Sequence, residues 1–169
     1  MNDEATYAAL QEGSLPTGDL GELDSDGYLK ITDRKKDIIV FSGGDNVSPA
    51  RVEGFLTLQR EIVQAMVYGD KRPHLVALLV PDEEFTANWC HEHNRPEDLG
   101  QLREDPEFRA ALSAVVDRVN ATLSSLEKIR RFAILSEPFT VDNGMLTPTM
   151  KIRRHKIREA YGEIIDGLY

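Results

Sequence analysis

The stretch at residues 33–49 limits the fold of this chain more than any other part of the sequence. Its charged start leads into an apolar, β-branched run at 38–41, which predicts a short buried strand. Ser42-Gly43-Gly44-Asp45-Asn46 then predicts a turn, because paired glycines allow positive φ and let the backbone approach a ligand closely. Ser48-Pro49 is typical of a helix start. A strand, a glycine loop and a helix therefore follow one another, which fits an ordinary connection and a ligand-binding loop about equally well.

Patterns on both sides of this stretch predict strands mixed with helices. An Asp-Gly turn between two β-rich runs predicts a hairpin, and a strongly apolar run at 74–80 predicts a central strand. Because there is no strict βαβ repeat, the predicted class is α+β, with a central three-stranded sheet flanked by helices and preceded by the hairpin. The predicted strands are 20–23, 28–32, 38–41, 62–70, 74–80 and 132–135, the predicted helices are 2–12, 49–58, 82–93, 106–123 and a tail helix from 150, and 98–105 is a polar connector.

The composition excludes several functional classes. Its 41% hydrophobic and 29% charged residues are ordinary for a globular domain, and a net charge of −9 argues against nucleic-acid binding, which depends on neutralising phosphates. A single cysteine, Cys90, excludes an internal disulfide and fits a reducing cytoplasm. No run approaches the roughly 18 apolar residues of a membrane span, and the acidic N-terminus is no secretory signal. We therefore expect a soluble cytoplasmic protein.

Three segments combine loop residues with charge. Thr17-Gly18-Asp19 offers a carboxylate that could accept hydrogen bonds from vicinal hydroxyls, and Asp33-Arg34-Lys35-Lys36-Asp37 offers cations for a phosphate or ribose. Leu146-Thr147-Pro148-Thr149-Met150-Lys151 places a lysine after a proline-stiffened loop, where it could stabilise developing negative charge. Each segment alone fits a solvated surface turn better than a site.

Together with the glycine loop, and in this order and spacing, the three segments resemble the C-terminal part of an adenylate-forming (AMP-binding) acyl-CoA synthetase. The sequence is most similar to the long-chain fatty-acid–CoA ligase branch, in which Thr-Pro-Thr-x-Lys stands in place of Ser-Gly-Lys. The resemblance covers nearly the whole chain, and its middle motif at 33–49 is highly specific. It implies a small lid domain that rotates between two half-reactions.

The resemblance implies a role for the residues near the hairpin. Asp19 resembles the carboxylate that binds the ribose hydroxyls of the nucleotide, and Arg34 resembles an arginine that also contacts the nucleotide. Lys35 stands at the hinge position, where some relatives have aspartate and others lysine.

The resemblance also implies roles for the two later loops. Gly43 and Gly44 resemble the loop that lines the pantetheine tunnel of coenzyme A, where backbone must approach a thin ligand. Lys151 resembles the lysine that stabilises charge at the carboxylate and α-phosphate during adenylation.

The family's phosphate loop, acyl pocket and magnesium ligand would all lie upstream of this sequence. The resemblance therefore implies a fragment, with residues 1–32 as the tail of the large N-terminal domain, 33–35 as the hinge and 36–169 as the lid. Its substrates would be a fatty acid, ATP and coenzyme A, its Mg²⁺ would be held upstream, and its main partner would be the N-terminal domain of the same chain. We expect the fragment alone to be inactive.

Other functions remain open at this point. A free-standing module could bind nucleotide or coenzyme A without catalysis, and the basic stretches at 128–131 and 151–158 could meet coenzyme A phosphates, anionic lipid headgroups or RNA, or be solvated. Nucleic acid is the weakest option, given the net charge, whereas peripheral membrane contact is retained. Cys90-His91-Glu92-His93 offers ligands for zinc, but the absence of a second ligand pair argues against a structural zinc site.

Overall fold

A computed structural model describes residues 16–169 of the chain, except for the side chains of Thr32 and Asp33. These residues belong to two compact units that divide between Ile38 and Ile39, and each unit is described by itself. The helix predicted at residues 2–12 lies outside the described residues.

The first unit contains an antiparallel hairpin of β1 (Asp19–Leu23) and β2 (Leu29–Arg34). The Asp24 carboxylate closes the turn by accepting hydrogen bonds from the backbone N–H groups of Asp26 and Tyr28, at 3.0 and 2.8 Å. Gly27, at φ +84°, supplies the left-handed backbone that this turn requires. The predicted hairpin is confirmed, although β2 starts one residue later than expected and continues to Arg34.

The second unit opens with the glycine loop and the helix that follows it. Strands β3 (Ile39–Val40) and β4 (Asn46–Val47) pair antiparallel and carry the loop between them. Helix α1 (Pro49–Thr57) begins as predicted, because the Ser48 hydroxyl accepts a hydrogen bond from Arg51 N at 3.3 Å. The predicted strand at 38–41 is shorter than expected, because Phe41 N bonds Asp45 O across the loop.

A three-stranded sheet forms the centre of this unit. Its order is β5 (Ile62–Tyr68), β6 (Leu75–Pro81) and β7 (Ile129–Ile134), with β5 antiparallel and β7 parallel to the central strand. Every residue of β6 is buried, as its apolar run predicted. Alternate β6 side chains enter two clusters, with Leu75, Ala77 and Leu79 in one and Val76, Leu78 and Val80 in the other. Both faces of the sheet are thus covered, and the α+β prediction is confirmed.

Four further helices cover the sheet. They are α2 (Glu83–His93), α3 (Leu99–Leu102), α4 (Pro106–Asn120) and α5 (Arg154–Gly167). The predicted connector at 98–105 contains the short α3, which the Asp98 carboxylate caps at Gly100 N. The tail helix begins at Arg154 rather than 150, because residues 147–151 are held in a closed loop.

Two side-chain amides bind the main chain as a neighbouring strand would. Asn120, at the end of α4, accepts a hydrogen bond from Ile129 N and donates one to Ile129 O, both at 2.9 Å. Gln64 does the same to Phe139, with distances of 2.7 and 2.9 Å. These amides fix where β7 begins and where the chain leaves the sheet.

We predict that Asn120→Ala lowers the free energy of unfolding by about 1–3 kcal/mol, because the two main-chain groups of Ile129 lose their partners. Chemical denaturation with a matched Asn88→Ala control measures this. Asn88 is exposed on α2 and its loss should change stability by less than about 0.5 kcal/mol. Equal effects of the two substitutions would contradict the proposed role of Asn120.

Candidate functional site

Lys151 follows a loop whose backbone is fixed by its own hydrogen bonds. Thr147 N donates to Lys151 O at 2.8 Å, Lys151 N donates to the Thr147 hydroxyl at 3.0 Å, and Met150 N donates to Thr147 O at 2.8 Å. Met150 adopts φ +62°, a left-handed conformation that is uncommon outside glycine and asparagine. A short bridge between Leu146 and Ile152 closes the base of the loop. The loop therefore presents the exposed Lys151 side chain from a defined backbone.

The other basic side chains of this segment bind partners within the chain. Arg153 donates to Gly144 O, Arg154 and Arg158 bind acids, and Lys156 pairs with Glu159 at 2.7 Å. Within residues 16–169, no hydrogen bond or ion pair is formed by the Lys151 ammonium. The stretch at 151–158 is therefore not an open basic patch, and one cation is left for a ligand.

The glycine loop differs between its two glycines. Gly44 adopts φ +93°, which favours glycine strongly, whereas Gly43 lies outside the left-handed region. A Cβ added at Gly43 would meet only the Asp45 carboxylate, at 3.7 Å, so a side chain there has room. Residues 42–46 are exposed, and a ligand could reach this backbone directly.

The turn between β5 and β6 supports the glycine loop from one side. Ser42 N donates to Arg72 O at 3.0 Å, and Lys71 N donates to Val40 O at 2.8 Å. Gly69 is required at this contact, because a Cβ there would lie 2.8 Å from the ring of Phe41 and from a methyl group of Leu75. The loop is thus held by backbone bonds and close packing.

The same turn is bound to the end of α5. The Arg72 guanidinium lies 2.5 Å from the Asp166 carboxylate and 4.7 Å from the ring centre of Tyr169. Hydrogen bonds from Arg158, together with the charges of Arg158 and Arg72, hold the pKa of Asp166 below its usual value. Burial raises the pKa of Tyr169 to about 12. The end of α5 therefore holds the turn that supports the glycine loop.

Asp19 and Arg34 lie together in the first unit. They are paired residues of the hairpin, and the Arg34 guanidinium Nε lies 3.1 Å from a carboxylate oxygen of Asp19. Gly18, at φ +76°, precedes Asp19, which is the first residue of β1 rather than part of a tight turn as the sequence suggested. Lys35 is exposed in the turn after β2, and its N–H bonds Gly18 O at 2.8 Å.

An ion pair between the buried Glu53 and the partly buried Arg154 connects α1 to the start of α5. Both carboxylate oxygens of Glu53 accept hydrogen bonds from Arg154, at 2.7 and 2.6 Å, and Glu53 also accepts one from Val67 N at 2.8 Å. The sequence analysis did not single out this pair. The apolar spacing of α1 predicts which face of the helix is buried. It does not show that Glu53 on this helix binds an arginine 101 residues later in the chain.

The Cys90 and His93 side chains are used within the fold. The Cys90 thiol faces Pro96 O at 3.6 Å, and His93 Nδ1 lies 2.8 Å from Trp89 O with its ring stacked on the indole. Among the side chains that the structure describes, no group of three or more acidic, histidine or cysteine residues could hold a metal ion. None of the described helices is long and apolar enough to cross a membrane.

The chain is similar to known ligases over nearly its full length. It is 42% identical to the long-chain-fatty-acid–CoA ligase FadD15 of Mycobacterium tuberculosis, covering 99% of this chain and 28% of that protein. It is 34% identical to long-chain-fatty-acid–CoA ligase 1 of Cavia porcellus, covering 94% of this chain and 23% of that protein. The chain thus spans about a quarter of the length of these relatives.

The chain is also similar to solved adenylation domains over nearly its full length. The adenylation domain of a carboxylate reductase from Mycobacterium chelonae superimposes with a TM-score of 0.78 at 30% identity, over 99% of this chain and 25% of that one. The corresponding domain from Segniliparus rugosus, solved with AMP and a co-purified carboxylic acid, gives a TM-score of 0.79 at 27% identity over the same shares. A profile of the AMP-binding enzyme C-terminal domain matches residues 36–169. The chain therefore belongs to the AMP-binding enzyme C-terminal domain family.

Proposed function

We propose that this chain is the lid of an ATP-dependent fatty-acid–CoA ligase that acts on long-chain substrates. The observation that carries the proposal is the Lys151 ammonium, exposed on a closed loop while its basic neighbours bind partners within the chain. In this proposal residues 1–32 end the large N-terminal domain, 33–35 form the hinge and 36–169 form the lid. The similarity to long-chain ligases supports the choice of substrate.

Lys151 serves the first half-reaction in this proposal. A carboxylate oxygen of the fatty acid attacks the α-phosphorus of ATP, the bond to the β-phosphate oxygen breaks, and pyrophosphate leaves with the electron pair. Negative charge is shared among the attacking carboxylate, the α-phosphate and the leaving group, and a fixed ammonium stabilises it. The hydrogen bonds of residues 147–151 limit the reorganisation of the loop when this charge develops.

Gly43 and Gly44 serve the second half-reaction. The thiol of coenzyme A loses its proton to solvent, the thiolate attacks the acyl carbonyl, the bond to the adenylate oxygen breaks, and AMP leaves with the electron pair as the thioester forms. The exposed backbone of this loop suits contact with the narrow pantetheine arm, because only the Asp45 carboxylate, 3.7 Å from the Cβ position of Gly43, comes near either glycine.

The hairpin supplies the nucleotide contacts and the hinge. The Asp19 carboxylate has one oxygen near Arg34, and its acceptor capacity suits the vicinal hydroxyls of a ribose, with Arg34 alongside for the nucleotide. Lys35 lies in an exposed turn, where a change in a few backbone dihedrals can rotate the following residues.

The remaining components belong to the upstream part of the protein and to its surroundings. An acidic residue of the N-terminal domain would hold Mg²⁺, which would supply positive charge to neutralise the phosphates of ATP. We place the enzyme in the cytoplasm, with peripheral membrane contact as a means of access to long-chain substrates.

We predict that Lys151→Ala in the full-length protein slows pyrophosphate release about 10²–10³-fold, as expected when one charge-stabilising group is lost. Thioester formation from supplied acyl-adenylate should keep its rate, because Lys151 acts only in the first step. Single-turnover assays of the two steps measure this. Normal rates in both steps would remove Lys151 from the proposed mechanism.

We predict that Gly43→Ala impairs only the second step. The new methyl group has room in the free loop, so the melting temperature should not change, but it would narrow the path of the pantetheine arm. The KM for coenzyme A in thioester formation should rise while pyrophosphate release is unaffected. Gly54→Ala, at an exposed position of α1 with equally open space, is the control and should change neither step. An unchanged KM in Gly43→Ala would contradict the tunnel assignment.

A free-standing module that binds nucleotide or coenzyme A without chemistry is the rival function. An assay of pyrophosphate release distinguishes the two functions. Residues 1–169 and the full-length protein are purified, and each is supplied with ATP and fatty acid. We predict pyrophosphate release from the full-length protein alone, because the phosphate loop and acyl pocket lie upstream. Turnover by residues 1–169 would contradict the proposal that this chain is only a lid, and no turnover by either protein would favour the binding module.

A further inference from the structure

We infer that Glu53 and Arg154 are positioning residues that hold the glycine loop and the Lys151 loop in one fixed relation, so that both half-reactions depend on this pair. The inference rests on the function proposed above, because it assigns a role to the frame that carries the two loops. Neither residue belongs to the loops themselves, and neither is placed in contact with a substrate.

Glu53 and Arg154 form a bidentate ion pair, with two hydrogen bonds between the guanidinium and the carboxylate. Each carboxylate oxygen of Glu53 faces a different terminal nitrogen of Arg154, at 2.7 and 2.6 Å, and only 7% of the Glu53 surface is exposed. The pair also binds both main-chain groups of Val67, which donates from N to Glu53 at 2.8 Å and accepts at O from Arg154 at 3.3 Å. Three elements, α1, β5 and α5, therefore meet at four hydrogen bonds.

One side of the pair is connected to the glycine loop. Glu53 lies one turn into α1, which starts immediately after β4 and its loop. Val52 and Leu56, the buried neighbours of Glu53 on the same helix, have no exposed surface, so α1 cannot rotate without disturbing the core. The position of Glu53 thus fixes the strand that ends the glycine loop.

The other side is connected to Lys151. Arg154 is the first residue of α5 and lies three residues beyond the lysine. Between them, Ile152 bridges to Leu146, and Arg153 N bonds Met145 O at 2.8 Å. A shift of Arg154 would therefore move the base of the Lys151 loop.

Stability alone does not explain a buried pair of this kind. Withdrawing the Glu53 carboxylate and most of the Arg154 side chain from water costs free energy that their attraction only partly offsets, and apolar replacements of similar volume are often as stable. The pair fixes the relative orientation of the two helices that carry it. A guanidinium binds a carboxylate through two hydrogen bonds in one plane, whereas an ammonium acts as a point charge. Arg154→Lys keeps the charge and removes the fork, so it tests direction separately from charge.

The chain offers a second arginine–glutamate pair as a control. The Glu61 carboxylate is also buried, at 8% exposure, and accepts two hydrogen bonds at 3.1 Å from a single terminal nitrogen of Arg118, so this pair has the same charges without the two-nitrogen fork. This pair joins α4 to the residue before β5 and borders neither loop. Arg118→Lys therefore makes the same chemical change away from the proposed frame.

The test is made in the full-length enzyme by single-turnover assays of pyrophosphate release and of thioester formation from supplied acyl-adenylate, at saturating substrate. We expect Arg154→Lys to slow both steps about tenfold or more, since small misplacements of reacting groups carry large rate penalties. The KM for ATP should stay unchanged, and Arg118→Lys should leave both rates unchanged at a similar melting temperature. Glu53→Gln, a near-isosteric change, repeats the test at the other partner if Arg154→Lys does not fold.

Each outcome bears on the inference. Losses in both steps that Arg118→Lys does not share support it. Normal rates in both steps, a loss in one step only, or losses equal to those of Arg118→Lys at equal melting temperature overturn it. Lys151→Ala in the same assays tests the proposed function separately from the role of the pair. A normal rate of pyrophosphate release in Lys151→Ala contradicts the proposed function. Selective loss of that step in Lys151→Ala, together with normal rates in Arg154→Lys, contradicts only the role of the pair.

Discussion

The ion pair between the buried Glu53 and the partly buried Arg154 is the interaction that holds three separate elements of the second unit together. It joins the first helix, an edge strand and the last helix, which come from distant parts of the chain, and it meets both main-chain groups of Val67. An unpaired buried charge and unpaired main-chain groups on a strand edge are both costly, and this contact pairs the Glu53 charge together with both main-chain groups of Val67 on that edge. The glycine loop and the Lys151 loop lie on either side of it.

Side chains that bind both main-chain groups of one residue occur at two other points of the fold. Asn120 and Gln64 each bind the N–H and C=O of one residue, Ile129 and Phe139, in the manner of an additional strand. A three-stranded sheet has few ladder bonds, and these side chains complete the hydrogen bonding where the chain enters or leaves it. The central strand contributes differently, since its alternating side chains fill both apolar clusters. Polar side chains thus set the boundaries of a sheet whose interior is apolar.

Local patterns determined most of the predicted elements, and long-range contacts determined what was missed. The apolar run of β6, the serine cap of α1 and the Asp-Gly turn are local signals, and each marks its element correctly. β7 begins at Ile129 instead of 132 because Asn120 binds there, which no local pattern shows. The 151–158 stretch resembled a basic patch because the acids that bind Arg154 and Arg158 lie outside it, at Glu53 far earlier in the chain and at Asp166, 8 residues beyond Arg158 in the same helix. Candidate residues could be placed by motif, whereas the frame that holds them depends on a residue pair that spacing cannot predict.

The separation of Glu53 from Arg154 also has a consequence for synthesis. The two residues are 101 positions apart, so on a ribosome adding about 5–20 residues per second the carboxylate emerges roughly 5–20 s before its guanidinium. β6 is likewise synthesised well before β7, its parallel partner, because three helices lie between the two strands in the chain. During that interval the nascent domain exposes an incomplete sheet, and its burial of Glu53 is completed only when the last helix arrives. The Glu53 carboxylate therefore gains its partner only when the last described helix has been synthesised.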